Sequence, residues 1–453
     1  MHAARLVLLL LLCPPLAALA NSNALSDAMA DGGAGEGAVV RIESSIYRGQ
    51  GLRYDYLPVN LYFGKHAYWH ADRIGVKWDL DAASRVDLFL AHRYEGTPQD
   101  ETATVLAGMA MREQGADLGV GYRRRFDWGT LYAEFLHNVD GDSEGSELRV
   151  GYKQERAYGR LRYSPQVMLS WRDGKLNNYY YGVRPDEATA TRPAYEAGAG
   201  MNLQFALYAT YPLAERWKVL AGVSATQWSG SVRHSPIVES GLQTTVSLGL
   251  LYDHSPQPWP VPEGSPLWVK VYYGKATDCD LAKIILLQCT STQTTEQTRV
   301  SSIEFGRTLI ERLNGWNVDI AGYIGLLHHD EKGYQPDSWQ VNAYFKSYWY
   351  GLPWRDRVKT RMGIGTGLSY ASRVPYIEAQ HQADNNRNSS KLLTYLDPTV
   401  DFSLGDLVGV RSMKNTYLGI GVSHRSGVFG FSQLENNVNG GSNYIYTYVE
   451  FAL

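Results

Sequence analysis

The chain has 453 residues, with 43 lysines and arginines against 46 aspartates and glutamates, for a net charge of -3. That balance gives no basic surface for nucleic acid, so none is expected as a partner. The 45 glycines, 32 tyrosines and 12 tryptophans are unusually many, and no stretch past the leader approaches the ~18 consecutive apolar residues of a membrane-spanning helix.

The first twenty residues read as a secretory signal peptide. Arg5 supplies a short positive start, Leu6 to Leu12 an unbroken apolar run, and Ala18-Leu19-Ala20 a small-x-small cleavage pattern. Cys13 precedes Pro14, a poor setting for a lipoprotein cysteine, so cleavage is expected after Ala20. Residues 21–40 are rich in Gly and Ala and read as a flexible tail. The mature remainder, about 430 residues, suffices for one large domain or two medium ones.

From there on, segment after segment alternates apolar and polar residues, with tyrosine and tryptophan near the ends. Residues 115–125 (GADLGVGYRRR), 195–211 (YEAGAGMNLQFALYATY), 357–371 (RVKTRMGIGTGLSYA) and 442–453 (SNYIYTYVEFAL) are examples. Segments of about ten such residues between turn signals mark a transmembrane β-barrel, all-β and antiparallel. Lipid cannot hydrogen-bond a sheet edge, so the sheet must close. A secreted β-sandwich also explains alternation, but not the aromatic ends or the Gly-rich strands. Short joints such as 125–129, 154–159 and 211–216 take turns with longer ones such as 139–144, 173–194 and 228–240. Such barrels have short periplasmic turns and longer outer loops.

The alternation gives ten strands between Tyr54 and Tyr252, expected to close by pairing 54–64 with 241–252. It then stops at SPQPWPVPEGSP (255–266), which has five prolines. Proline cannot donate into a ladder, so 254–266 reads as a stiff periplasmic linker. Eight further segments follow: 267–275, 299–312, 316–329, 338–350, 357–371, 392–407, 416–426 and 442–453. Two even counts favour two barrels in tandem, the second closing by pairing 267–275 with 442–453. In an exported protein, Cys279 and Cys289 read as one disulfide in the first outer loop of the second barrel rather than as a metal site. No metal and no cofactor are expected.

Four stretches of the first half, YYYGVRPDEATATRPAYEAG (179–198), LGVGYRRRFDWGTLYAEFLHNVDG (118–141), GSELRVGYK (145–153) and RHSPIVES (233–240), resemble the MipA/OmpV family of outer-membrane proteins. The resemblance spans roughly 41–253. It implies a cell outer-membrane location and a scaffold, contacting a periplasmic murein-degrading transglycosylase, or an adhesin. It carries no catalytic set. His137, Asp140 and Asp142 read as solvated loop residues. Asp186 and Glu187 read as loop charges neutralised by divalent ions or by Arg184 and Arg192. The triplet Tyr179-Tyr180-Tyr181 reads as part of an interfacial aromatic girdle, with sugar binding as the alternative.

In the second half, GIGVSHRSGVFG (419–430) holds the chemistry. Alternate side chains of a strand share a face, so Leu418, Ile420, Val422, His424 and Ser426 point the same way. The last strand runs down into the periplasm, so 416–426 runs upward. His424 and Ser426 therefore sit at its outer end on the lipid-facing register. Residues i and i+2 lie roughly 6.5–7 Å apart at Cα, near enough for a histidine to act as base for a serine. Polar residues at a barrel rim are also ordinary, and residue types alone do not separate the two readings.

An eight-stranded barrel with His-x-Ser near the outer end of its penultimate strand resembles the lipid A 3-O-deacylases of the PagL family. That resemblance implies a lipopolysaccharide substrate and a His/Ser/acid triad facing the membrane. His424 and Ser426 match its motif, and Glu435, the one carboxylate of loop 427–441, is the expected acid. Its spacing from Ser426 is short, and Gly427 stands where the family has asparagine. Backbone N–H groups near Gly427 or Gly440-Gly441 are the expected oxyanion donors. A purely structural envelope protein and a small-solute channel are the alternatives from other classes. Small barrels fill their lumens with side chains, which disfavours the channel.

Overall fold

The computed structural model describes residues 33–70, 72–96, 104–140, 143–253, 264–385, 387–427, 432 and 435–453. The expected signal peptide and most of the Pro-rich linker lie outside the described residues. Contacts divide the chain into two compact units, one ending at Pro258 and the next beginning at Trp259.

The first unit contains β1 (Gly33–Ser44), β2 (Leu52–Phe63), β3 (Ala67–His70), β4 (Arg73–Asp79), β5 (Ser84–Arg93), β6 (Gly115–Phe126) and β7 (Gly129–Asn138). It continues with β8 (Ser146–Lys153), β9 (Arg156–Tyr158), β10 (Leu161–Arg172), β11 (Gly200–Pro212), β12 (Trp217–Gln227) and β13 (Leu242–Asp253). The three-residue β9 pairs with β10, while the other twelve strands form a closed antiparallel ring. Twelve replaces the expected ten, and the closure differs as well. β1 stands between β2 and β13, so 54–64 does not pair with 241–252. Residues 33–40, read as tail, are the first part of β1. Their glycines are a packing device: a Cβ on Gly37 would stand 2.2 Å from the Leu250 carbonyl oxygen, and one on Gly35 2.7 Å from that of Tyr252.

Side chains inside this barrel are charged and paired. Arg73 meets Glu134 at 2.8 Å, Arg93 meets Glu147 at 2.9 Å and Asp117 at 2.5 Å, and Arg172 meets Glu95 at 2.5 Å. Leu118, Val120, Phe205 and Leu248 point outward and are exposed, as a lipid-facing wall requires. The rim that carries the β1–β2, β10–β11 and β12–β13 loops is closed by those loops. Ile46, Tyr47, Leu176, Tyr180, Tyr181, Trp228, Val232 and Ile237 form an apolar cluster there. Tyr180 and Tyr181 are therefore the core of a cap and not a girdle; the cap forms because the helix Gly174–Tyr181 turns them inward.

The second unit is a closed barrel of eight strands: β14 (Leu267–Thr277), β15 (Arg299–Ile310), β16 (Val318–Asp330), β17 (Ser338–Trp349), β18 (Thr360–Ala371), β19 (Leu392–Ser403), β20 (Thr416–Gly427) and β21 (Gly440–Ala452). It closes by pairing β14 with β21, Trp268 opposite Ala452 through Thr277 opposite Asn443, as expected. The interior is filled. Asp397 accepts from Lys270, Lys346 and Tyr446, and Arg361 bridges Asp401 and Glu450. Gly419 and Gly421 face inward, where a Cβ on either would stand 2.6 Å from the ring of Tyr448 or Tyr446. The alternating glycines of β20 thus make room for the tyrosines of β21.

Candidate active site

The ladder between β20 and β21 runs without a register shift from Thr416 opposite Phe451 to Gly427 opposite Gly440. Strand alternation therefore carries one face from Leu418 to Ser426. Leu418 and Ile420 are exposed on it, at 47% and 56%. Val422 is on the same face but buried, because Cys279 and Ile284 pack over it with Leu281, Cys289 and Ile445. The cover is the loop between β14 and β15, closed by the Cys279–Cys289 disulfide. Ile285, Leu286 and Leu287 of that loop remain exposed.

Just beyond this cover lie the two polar residues. His424 Nε2 and Ser426 Oγ are 2.7 Å apart. The other ring nitrogen, Nδ1, is 2.6 Å from Asn443 Oδ1. Asn443 sits opposite His424 in the ladder and in turn donates from Nδ2 to the Cys279 carbonyl at 2.9 Å. Four groups from three segments thus form one hydrogen-bonded chain on the outer wall.

Arg425, between the dyad residues, points inward and anchors the end of the strand. It donates to Glu378 at 2.8 Å and to the Ser390 carbonyl at 2.8 Å. Glu378 belongs to the helix Tyr376–Asp384, which joins β18 to β19, and also accepts from Ser442 Oγ at 3.1 Å. Both rim strands are therefore tied to one buried carboxylate, and the outward pair inherits that rigidity.

Glu435 is placed differently from the expected triad acid. Its Oε1 accepts from the Thr394 N–H at 2.7 Å and from Thr394 Oγ1 at 2.5 Å. Thr394, on β19, lies opposite Ser426. Glu435 therefore sits to the β19 side of the dyad, while the partner of His424 Nδ1 comes from β21. Gly427 and Gly441 are ladder residues, and a Cβ on Gly441 would stand 1.8 Å from the Arg425 carbonyl oxygen. The sequence reading missed Asn443, whose only signal is its register opposite His424.

In the first barrel the loop residues serve structure. His137 Nδ1 is 3.0 Å from Ser146 Oγ, and Asp140 accepts from the Ala116 N–H at 2.5 Å. Asp142 lies outside the described residues. Glu187 is buried and takes hydrogen bonds from Arg184 and from Arg112 at 2.7 Å each. Arg192 donates instead to backbone carbonyls, those of Glu187 and Ala107 among them. Asp186 is beside Arg184 in the same turn, at 3.9 Å.

Residues 37–254 match the family described as MltA-interacting protein MipA. Among curated relatives, the chain is 31% identical over 156 residues to outer membrane protein Omp26La of Vibrio anguillarum, covering 34% of this chain and 61% of that one. It is 29% identical over 196 residues to outer membrane protein OmpV of Vibrio cholerae, 42% and 76% of the respective chains. The MltA-interacting protein of Escherichia coli K12 is 24% identical over 135 residues, 30% and 54%. The chain thus spans somewhat under two thirds of Omp26La and about half of the MltA-interacting protein. The family match falls on the first barrel and leaves the second outside it. Residues 37–254 are thus similar to the MipA/OmpV outer-membrane proteins, and the chain is an outer-membrane β-barrel protein.

Proposed function

We propose that this protein joins an envelope scaffold to a serine esterase that removes an acyl chain from lipopolysaccharide in the outer membrane. The observation that carries the second half is the hydrogen-bonded chain Ser426–His424–Asn443 on a wall that faces lipid. A serine is a weak nucleophile until a base within hydrogen-bond reach takes its proton. Here His424 is that base, and the apolar face below it, Leu418 and Ile420, is exposed where an acyl chain would lie.

In the reaction, Ser426 Oγ attacks the ester carbonyl of lipid A while its proton passes to His424 Nε2. The tetrahedral intermediate collapses, and His424 returns the proton to the departing sugar alkoxide. Water, deprotonated by the same imidazole, then releases the fatty acid from Ser426.

For the first barrel, the relative named an MltA-interacting protein motivates a scaffold role toward a periplasmic murein transglycosylase. The paired charges inside the barrel and its apolar cap suit a scaffold or adhesin better than a channel. The decisive experiment is mass spectrometry of lipid A from cells with and without the protein. Loss of one acyl chain only when it is present is the expected result. Identical lipid A in both would leave a purely structural envelope protein.

A further inference from the structure

The hydrogen-bonded chain on the outer wall has a direction, and the Cys279 carbonyl sets it. A carbonyl oxygen can only accept, so the atom of Asn443 that faces it at 2.9 Å must be the amide nitrogen. The amide oxygen is then the atom that faces His424 Nδ1 at 2.6 Å, and an amide oxygen also only accepts. Nδ1 must therefore carry the ring proton. The neutral imidazole has only one, so Nε2 holds a lone pair toward Ser426 Oγ at 2.7 Å. That is the one tautomer able to take a proton from the serine.

We infer that Asn443 is the positioning residue of this site, and that the disulfide-closed loop 279–289, through the Cys279 carbonyl, holds Asn443 in the orientation that keeps His424 ready as a base. The inference rests on the esterase reading and replaces the expected acid with a neutral amide. An amide suits this wall, where a carboxylate would be costly to ionise beside lipid. The residue that carries this carbonyl is itself anchored in the loop. The Cys279 N–H donates to Thr277 Oγ1 at 3.1 Å, and Thr277 Oγ1 donates to the Ser291 carbonyl at 2.6 Å. The helix Leu281–Ile285 presses Ile284 onto Val422. The bridge joins these two ends of the loop, so opening it frees the carbonyl that orients Asn443.

Glu435 is held on the other side of the strand. It is engaged by Thr394, the ladder partner of Ser426 on the other side of β20.

The test uses the full chain in mixed micelles with lipid A, and a fluorophosphonate probe that labels an activated serine whatever the natural acyl chain. Folding of each variant is checked by heat-modifiable gel migration. Asn443→Leu should lower kcat by ~10²–10⁴-fold, the range for a base left in the wrong tautomer, with KM changed less than about threefold. Fluorophosphonate labelling should slow in parallel. Asn443→Asp, which keeps an acceptor oxygen toward Nδ1, should recover activity to within about tenfold of wild type. The double variant Cys279→Ser, Cys289→Ser should lose about tenfold in kcat and in labelling rate with the barrel still folded. Asn443→Leu within threefold of wild type, or Asn443→Asp as inactive as the leucine variant, would overturn the role of Asn443. An unchanged double serine variant would overturn the role of the loop. If wild type neither cleaves lipid A nor takes the probe, or Ser426→Ala matches it, the esterase reading itself has failed and the inference falls with it.

Discussion

Lys270 of β14 and Asp397 of β19, 127 residues apart in sequence, meet at 3.0 Å inside the second barrel, and neither is exposed. Asp397 also takes Lys346 and Tyr446, so one carboxylate holds two ammonium groups in place of an open lumen. Glu304, at 3.1 Å from Lys270, is the other nearby anion. Asp397→Asn should therefore leave excess buried positive charge and destabilise the barrel by about 3–5 kcal/mol. Urea titration followed by folded-band migration would show the midpoint moving down. An unchanged midpoint would mean that the tyrosine packing alone holds the wall together.

Ser426 contributes little to that packing. It is half-buried at the rim, and its hydroxyl touches His424. Ser426→Ala should abolish loss of the lipid A acyl chain while leaving the urea midpoint within about 0.5 kcal/mol of wild type, as surface substitutions usually do. Continued deacylation in cells carrying only the alanine variant would remove Ser426 from the chemistry.

Glu435→Gln separates the two candidates for third member. Glutamine keeps an oxygen that can accept from Thr394, so hydrolysis should stay within about threefold of wild type, whereas amidating a true triad acid costs about 10⁴-fold. Initial rates on lipid A in micelles decide it. A loss of a hundredfold or more would restore Glu435 as the acid and displace Asn443.

What the sequence disclosed follows from distance along the chain. His424 and Ser426 are two residues apart on one strand, and alternation alone puts them side by side. Cys279 and Cys289 close a local loop, and their pairing was legible for the same reason. Asn443 is 19 residues from His424 and meets it only through the exact pairing of β20 with β21, which composition does not encode. Arg112 reaches Glu187 across 75 residues, so the sequence offered Arg184 and Arg192 but not the arginine that matters as much. Gly35 and Gly37 failed in the other direction: low complexity suggested a tail, yet small residues are what a strand needs where neighbouring backbone presses close. Tyr180 and Tyr181 show the limit of reading aromatics by type, since a girdle and a cap core use the same residues.

Glu187 gives the first barrel a pH dependence confined to its cap. Burial alone would push its carboxyl up. Hydrogen bonds from Arg112, from the Arg184 and Ala110 N–H groups and from the Arg184 side chain outweigh that and hold it down at about 2, against an ordinary 4.5. A carboxyl depressed in the folded state adds stability that is fully present above its unfolded value and disappears as pH falls through its folded value. The window is therefore from about 4.5 down to about 2. Allowing for solvent at the rim, the contribution is roughly 1–3 kcal/mol. Glu187→Gln should thus make the cap easier to open at pH 7, read as faster proteolysis within 183–198. The difference from wild type should shrink below pH 4.5 and vanish only below pH 2, where folded wild type becomes protonated too. A difference that stayed constant across that range would assign the effect to the shape of the side chain and not to its charge.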